Sequence, residues 1–274
     1  MNKQENQAAE FAARFIHQTN RNVFLTGKAG TGKTTFLRSI IRETYKNTII
    51  SAPTGIAAIN AGGVTLHSLF HLPFGAYVPV ATTTFHQQAR FFDAQQLIRN
   101  LQMNETKRRL LREMELLVID EVSMLRADLL DAIDVILRFV RRENNVPFGG
   151  VQVLFIGDLM QLPPVVKEEE WSVLKQYYKS SHFFEARVLQ NNKPLYLELD
   201  KIYRQGDNRF IELLNNLRNN TVNENDIQLL NAHYKPDFNH SPNDGYITLT
   251  THNYKADRIN TEFLNQLNEK EFSY

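Results

Sequence analysis

The sequence predicts an α/β fold built on a parallel sheet that helices cover on both faces. Short apolar runs of strand length recur along the chain: Val23-Phe24-Leu25, Thr48 to Ser51, Leu116 to Ile119, Val151 to Ile156 and Leu195 to Leu199. Strands buried on both faces read as continuous apolar runs, which is the pattern here. Between the runs lie segments with apolar residues at helical spacing, and that alternation argues for a parallel sheet. Each run also ends in a polar or glycine-rich segment. Ligand sites in such sheets lie beyond the strands' carboxyl ends, so those segments are where function is sought.

The elements follow in order. Ala8, Phe11, Ala12, Phe15 and Ile16 share one face of a first helix, which the polar run Gln18 to Asn22 ends. The strand at Val23 leads into Gly27-Lys28-Ala29-Gly30-Thr31-Gly32, and a second helix runs from Lys33 to about Tyr45 with Phe36, Leu37, Ile40 and Ile41 inward. The strand at Thr48 ends in Ala52-Pro53-Thr54-Gly55. Residues 71–95, with Pro73, Pro79 and Thr82-Thr83-Thr84, break the rhythm and read as an insertion whose Phe85, Phe91 and Phe92 form a small core of its own. A helix at Ala127 to Arg142 buries Leu130, Ile133, Ile136, Leu137 and Val140. After Leu199 the pattern restarts with helices near Arg209 to Leu217 and Glu224 to Tyr234. A strand at Tyr246 to Leu249 and a helix at Tyr254 to Leu267 follow.

Composition sets limits without naming an activity. Among 274 residues, 42% are hydrophobic, 22% are charged and the formal charge is +1, an ordinary globular balance. The absence of cysteine excludes a disulfide framework, a thiolate-bound zinc and a cysteine nucleophile. No apolar run approaches the roughly 20 residues of a membrane helix, and the first ten residues lack the basic and apolar regions of a signal peptide. The expected location is therefore intracellular. A local basic groove for nucleic acid remains compatible with a balanced net charge.

Three strand-end segments carry chemistry. Gly27 to Thr34 fits G-x-x-x-x-G-K-[ST] between a strand and a helix, the context this motif requires. Its glycines let successive backbone N–H groups face a phosphate chain at a helix N-terminus. Lys33 then reaches the β- and γ-phosphates, and the Thr34 hydroxyl ligates Mg²⁺. Leu116 to Ile119 delivers Asp120 and Glu121 to the sheet edge; Asp120 suits Mg²⁺ and Glu121 suits polarising an attacking water. The competing reading is an acidic helix start, because Ser123 and Asp128 also suit capping. Val153 to Ile156 ends in Gly157-Asp158-Leu159-Met160-Gln161-Leu162-Pro163-Pro164, where Gln161 suits sensing a γ-phosphate and a simple strand-to-turn junction is the alternative.

Taken together, GKAGTGKT, IDEVSM and GDLMQLPPV resemble the Pif1-like DNA helicases of helicase superfamily 1, a resemblance that extends over essentially the whole chain. APTGIAA at Ala52 to Ala58 and TLHS at Thr65 to Ser68 resemble that family's motif Ia region. PFGGVQ at Pro147 to Gln152 resembles its signature segment, and Tyr203-Arg204-Gln205 resembles motif IV. The resemblance implies a RecA-like P-loop NTPase fold, ATP and Mg²⁺ as cofactors, and ATP-driven 5′→3′ translocation on single-stranded DNA. Forked or structured DNA is the implied partner and the motor is read as monomeric, with roles in DNA repair, recombination and telomere maintenance. It is cytoplasmic in a bacterium and nuclear or mitochondrial in eukaryotic relatives. The alternative is a P-loop ATPase that acts on a protein partner.

Site residues carry over by position. Gln161 is the sensor that links nucleotide to DNA, Arg204 the arginine finger and Gln7 the adenine-binding glutamine. The phosphate loop comprises Gly27, Ala29, Gly30, Thr31, Gly32, Lys33, Thr34 and Thr35. DNA lies on Pro53, Thr54 and Gly55, on Thr65, His67 and Ser68, on Pro73 and Phe74, and on Thr250 and Asn253. His67 has a buried, hydrogen-bonded role as its alternative, and the basic clusters at Lys107 to Arg109 and Arg138 to Arg142 read as solvated helix faces. In domain terms, residues 1–195 are a first motor domain with an inserted subdomain at about 71–107, and 196–274 begin a second RecA-like domain. The later motifs of a superfamily 1 motor find no match before Tyr274. The chain is therefore read as the N-terminal part of a longer helicase, unable to unwind DNA alone.

Overall fold

The computed structural model describes residues 7–80, 91–201, 208–241 and 244–267, which group into two compact units dividing after Asn208. The first unit opens with α1 (Gln7–Gln18), which buries Ala12 and Ile16 and ends where the Thr19 hydroxyl donates to the Phe15 carbonyl at 2.7 Å. β1 (Val23–Gly27), α2 (Lys33–Glu43) and β2 (Thr48–Ala52) follow. Next come α3 (Gly55–Ala61), β3 (Val64–Thr65) and α4 (Leu66–Phe70). The Thr54 and Thr65 hydroxyls accept from Ala57 N and Ser68 N and so cap α3 and α4. β4 (Ala76–Tyr77), β5 (Phe91–Phe92), α5 (Ala94–Arg99) and α6 (Glu105–Glu113) precede β6 (Leu116–Ile119). α7 (Ala127–Arg141), β7 (Gln152–Gly157), α8 (Glu168–Leu174), α9 (Arg187–Gln190) and β8 (Leu195–Leu199) complete the unit.

Six strands pair in parallel in the order β3-β2-β6-β7-β1-β8. Alternation along each strand explains why the runs are apolar throughout. Leu117, Ile119, Val153 and Phe155 face one core with α7, while Leu116, Val118, Leu154 and Ile156 face a second core with α1 and α2. Successive side chains point to opposite faces, so a strand covered on both sides needs apolar residues at every position.

Three expectations are corrected. The insertion has no core of its own among the described residues: Tyr77, Phe92, Leu97, Leu101 and Met103 join the main core beside α7. Its strands β4 and β5 form only a two-residue parallel pair, too little surface to bury a separate cluster. Phe85 lies outside the described residues. The boundary expected after residue 195 falls inside the sheet, because Leu195 to Leu199 pairs with Val23 to Gly27 and Leu199 is buried in the second core. Tyr246 to Leu249 is not a strand: among the described residues of the second unit no strand offers it a partner, and Tyr246, Ile247 and Leu249 stand exposed. An extended segment without a neighbour has no partners for its backbone groups but water.

α7 is the spine of the first unit. Its buried acids each fix a different segment: Asp128 accepts from Tyr77 N at 3.0 Å, Asp131 from Val188 N at 3.0 Å, and Asp134 from Phe148 N at 2.6 Å. The Arg138 to Arg142 cluster is not simply a solvated face. Arg138 pairs with Asp134, and the Arg141 guanidinium donates to the carbonyls of Leu111, Met114 and Gly149. On α6 Arg109 pairs with Glu113 on the solvated face expected there, while the half-buried Arg108 donates to the Met103 carbonyl at 3.2 Å.

The second unit contains α10 (Asn208–Asn219), α11 (Glu224–Ala232) and α12 (Asn253–Leu264). Asn223 and Asp226 form a capping box at α11, and Asn216 Nδ2 donates to Asp226 at 3.0 Å, tying α10 to α11.

Candidate functional site

The phosphate loop is shaped by its glycines. A Cβ on Gly27 would lie 2.5 Å from Thr31 Oγ1 and 2.7 Å from the Leu199 carbonyl, so only glycine fits where β1 meets β8. Gly30 and Gly32 take left-handed backbone (φ 79° and 91°), which only glycine adopts at little cost. Thr31 is buried and its hydroxyl donates to the Lys28 carbonyl at 2.9 Å, holding the curl. Lys33 Nζ donates to the carbonyls of Gly27 (2.6 Å) and Lys28 (3.0 Å), which sets its ammonium in the curve of the loop. Thr34 and Thr35 are exposed on the first turn of α2, beside exposed Ala29. Gln7 is exposed at the first position of α1.

β6, β7 and β1 are consecutive in the sheet, so their carboxyl ends bring three sequence segments together. Burial pushes the Asp120 carboxyl up, and the Glu121 N–H bond at 3.0 Å and the Lys33 charge oppose that. Glu121 is also raised, first by burial and then by the negative charges of Asp120 and Asp158, with Lys33 opposing. A raised carboxyl is a better proton acceptor, the property a general base needs. Asp158 is 1% exposed; it accepts from Met160 N at 3.1 Å and from Gln161 Nε2 at 3.3 Å. The acidic-cap alternative for Asp120 and Glu121 does not hold. α7 begins six residues after Glu121 with Arg126 as its cap, Glu121 precedes the short turn Val122–Met124 without a side-chain capping bond, and Asp128 is spent on Tyr77 and Arg126.

Beyond the ends of β2 and β3 lies a cavity of about 390 Å³. Pro53, Thr54, His67 and Phe74 line it together with Arg126 and Lys167. His67 and Phe74 stack at 5.7 Å with 20° between their planes, and Phe74 is 90% exposed. Burial, then the Arg126 charge, pushes the His67 imidazole down, with Asp128 opposing, so the ring is neutral near pH 7. Gly55, Thr65, Ser68 and Pro73 flank this wall without lining it. Thr65 pairs with Ala52 across β2 and β3. Thr250 and Asn253 lie in the second unit, exposed at the start of α12. Arg204 lies outside the described residues.

Two residues here were not singled out from sequence. Asp158 had a visible signal, an acid directly after a buried strand, the same pattern that marks Asp120. Arg126 had little: its bidentate partner Asp128 is two residues away, but its bond to Glu170, 44 residues on, arises from tertiary packing.

This fold, with a phosphate loop after β1 and acids after β6 and β7, defines a RecA-like P-loop ATPase. The family model described as "PIF1-like helicase" matches residues 1–228, and the chain belongs to that family. An ATP-dependent DNA helicase PIF1 of Saccharomyces cerevisiae is 34% identical over 215 residues, covering 76% of this chain and 22% of that protein. The human protein of the same name is 35% identical over 215 residues, covering 78% of this chain and 29% of its own length. A Bacteroides Pif1 helicase solved with ADP-AlF3 and single-stranded DNA superposes with a TM-score of 0.84 at 41% identity, over 98% of this chain and 59% of that one. The chain thus spans less than a third of the length of these curated relatives. Among the described residues no helix is long and apolar enough to cross a membrane.

Proposed function

We propose that this chain carries the ATP-hydrolysing part of a 5′→3′ DNA helicase that translocates on single-stranded DNA and opens forked or structured DNA. The observation that carries the reading is the convergence of Lys33, Asp120, Glu121 and Asp158 at three adjacent strand ends, with a flat-walled cavity beyond β2 and β3 in the same unit. Its solved relative with ADP-AlF3 and single-stranded DNA supports the same pairing of ligands.

In this reading the loop amides from Gly30 to Thr34 and the Lys33 ammonium bind the β- and γ-phosphates, and Gln7 binds adenine. Glu121 takes a proton from the attacking water, helped by its raised basicity. Gln161 senses the γ-phosphate, and Arg204 is the arginine finger, supplying positive charge at the transferring phosphate. Thr34 and Asp120 are hard oxygen donors, and the desolvated Asp120 carboxylate fits a small divalent cation that keeps waters and phosphate oxygens as its other ligands. Thr34 and Asp120 would hold Mg²⁺, which would supply positive charge against the phosphates. Thr54, Gly55, Thr65 and Ser68 offer amides and hydroxyls to a DNA backbone, and Pro53, which has no N–H, offers it only an apolar ring edge. His67 and Phe74 offer faces on which bases stack, and within the second unit Thr250 and Asn253 offer polar side chains to DNA. Residues 209–267 are read as part of the second motor domain.

The test is the ATPase rate of the full-length protein with and without poly-dT. Strong stimulation is expected; a rate indifferent to poly-dT would favour a protein partner.

A further inference from the structure

The cavity beyond β2 and β3 is lined in depth by apolar side chains. Leu66, Leu72, Leu125 and Leu129 in its lining are buried, while Phe74 and Val165 are exposed. At about 390 Å³ it lies at the small end of ligand clefts, with room for one ring system rather than a length of strand.

Two charged side chains in the same lining have bonding capacity to spare. Arg126 Nη1 donates to Glu170 Oε2 at 2.8 Å, and its Nε and Nη2 donate to the two Asp128 oxygens at 2.9 and 2.7 Å. A guanidinium carries five N–H groups, so one is left on each terminal nitrogen, and the side chain keeps 12% exposure. Glu170 Oε1 has no partner among the described residues. It is not sealed inside the protein, because among the described residues the buried side-chain atom without a partner is Ser123 Oγ. Arg126 and Glu170 both line the cavity, which therefore has a hydrogen-bond donor and an acceptor side by side.

Charge decides which part of a nucleotide suits such a place. Arg126 is matched by Asp128 and Glu170, and Lys167 in the wall balances the remaining negative charge, so the four cancel. A phosphate would meet no net positive charge there and would face the Glu170 carboxylate. A base meets apolar walls for its ring. Each of the four bases also carries a donor beside an acceptor on its pairing edge: thymine N3–H beside O4, guanine N1–H beside O6, and an amino group beside a ring nitrogen in adenine and cytosine. We propose that this cavity takes one base of the single strand edge-in, with Glu170 Oε1 accepting from the base and Arg126 donating to it. Because every base offers that pair, the grip holds one base without choosing among sequences. This rests on the DNA-binding reading proposed above.

The experiment measures the affinity of the full-length protein, without nucleotide, for the shortest oligo-dT that it binds fully. One thymine at a time is replaced by N3-methylthymine or by an abasic residue. The methylated base keeps its flat faces but loses the N3–H, so it separates edge recognition from stacking. At one position it should weaken binding about tenfold, the worth of one hydrogen bond to a charged acceptor. An abasic residue at that position should cost at least as much. In Glu170→Ala the same methylation should cost less than about twofold, because the acceptor is gone. Should that variant unfold, the wild-type scan decides alone. A scan in which N3-methylthymine costs nothing at any position would overturn the edge-in pocket, even if abasic residues weaken binding through lost stacking. A methylation cost that persists in folded Glu170→Ala would overturn it too. Failure of the wild-type protein to bind oligo-dT at all would instead overturn the DNA-binding reading itself.

Discussion

Replacing Gly157 with alanine tests the packing that places the proposed base. Gly157 ends β7, and its missing Cβ is occupied by the turn after Glu121: the added carbon would lie 2.9 Å from Val122 N, 3.0 Å from Val122 Cγ1 and 3.2 Å from Ser123 N. Two of these three neighbours are backbone atoms, so no rotamer change relieves the contact. Ordinary carbon contacts begin about half an ångström farther out, and the turn must move by that order. Overpacking of this kind costs about 1–3 kcal/mol of stability. A misplacement of about 1 Å at a reacting group costs on the order of 100-fold in rate, so half that shift should lower kcat by about tenfold. Affinity for the ATP analogue should change little, because Lys33 and the loop glycines lie at the end of β1. The assay is DNA-stimulated ATP hydrolysis by the full-length protein, read as kcat and KM separately, with urea unfolding alongside. Gly55→Ala is the stability control, since its Cβ would meet nothing within 4 Å, and it should stay within about 0.5 kcal/mol of wild type. A Gly157→Ala enzyme with wild-type kcat would refute the claim that this contact positions Glu121.

Other outcomes follow from the same structure. Lys33→Ala removes the ammonium held by the Gly27 and Lys28 carbonyls and should weaken ATP-analogue binding by at least about 100-fold in a fluorescence titration, the scale of a lost charge-assisted contact. Glu121→Gln should keep nucleotide and DNA binding while losing hydrolysis by about 100-fold or more in single-turnover assays, the usual contribution of a general base. Asp131 has its carboxyl pushed by burial from its ordinary 3.8 to about 6, with the Val188, Arg187 and Tyr178 donors opposing. A folded pKa above the unfolded one means the native state holds more protons between those values. Its contribution is therefore complete below about pH 4 and is lost as pH rises through about 6, some 3 kcal/mol in all. Asp131→Asn should flatten the urea-unfolding profile across that window by a comparable amount; an unchanged profile would contradict the assignment.

Much of the proposed nucleotide side was legible in the sequence because its causes are local. A phosphate loop needs glycines at fixed offsets, and a strand buried on both faces needs apolar residues throughout, so Gly27 to Thr34 and Leu116 to Glu121 announce themselves. What stayed hidden depends on partners distant in the chain. Leu195 to Leu199 looks like the start of a new domain until its pairing with β1 is seen. Phe92 looks like the centre of a small insertion core until α7 lies beside it. Tyr246 to Leu249 has the composition of a strand, but composition does not supply a neighbour to bond with. On the proposed DNA side, sequence placed Pro53, Thr54, His67 and Phe74 as separate short motifs, and only the pairing of β2 with β3 brings them around one cavity. Arg126 entered that wall unannounced, since its second carboxylate partner, Glu170, comes from α8.

The most direct test of the central claim is a structure of the full-length protein with oligo-dT and a non-hydrolysable ATP analogue. The account predicts the triphosphate against the amides from Gly30 to Thr34, with Glu121 facing the γ-phosphate. It predicts the DNA strand across Pro53 to Gly55, with a base against His67 and Phe74. A nucleotide bound elsewhere, or a DNA strand that avoids the β2 and β3 ends, would contradict it.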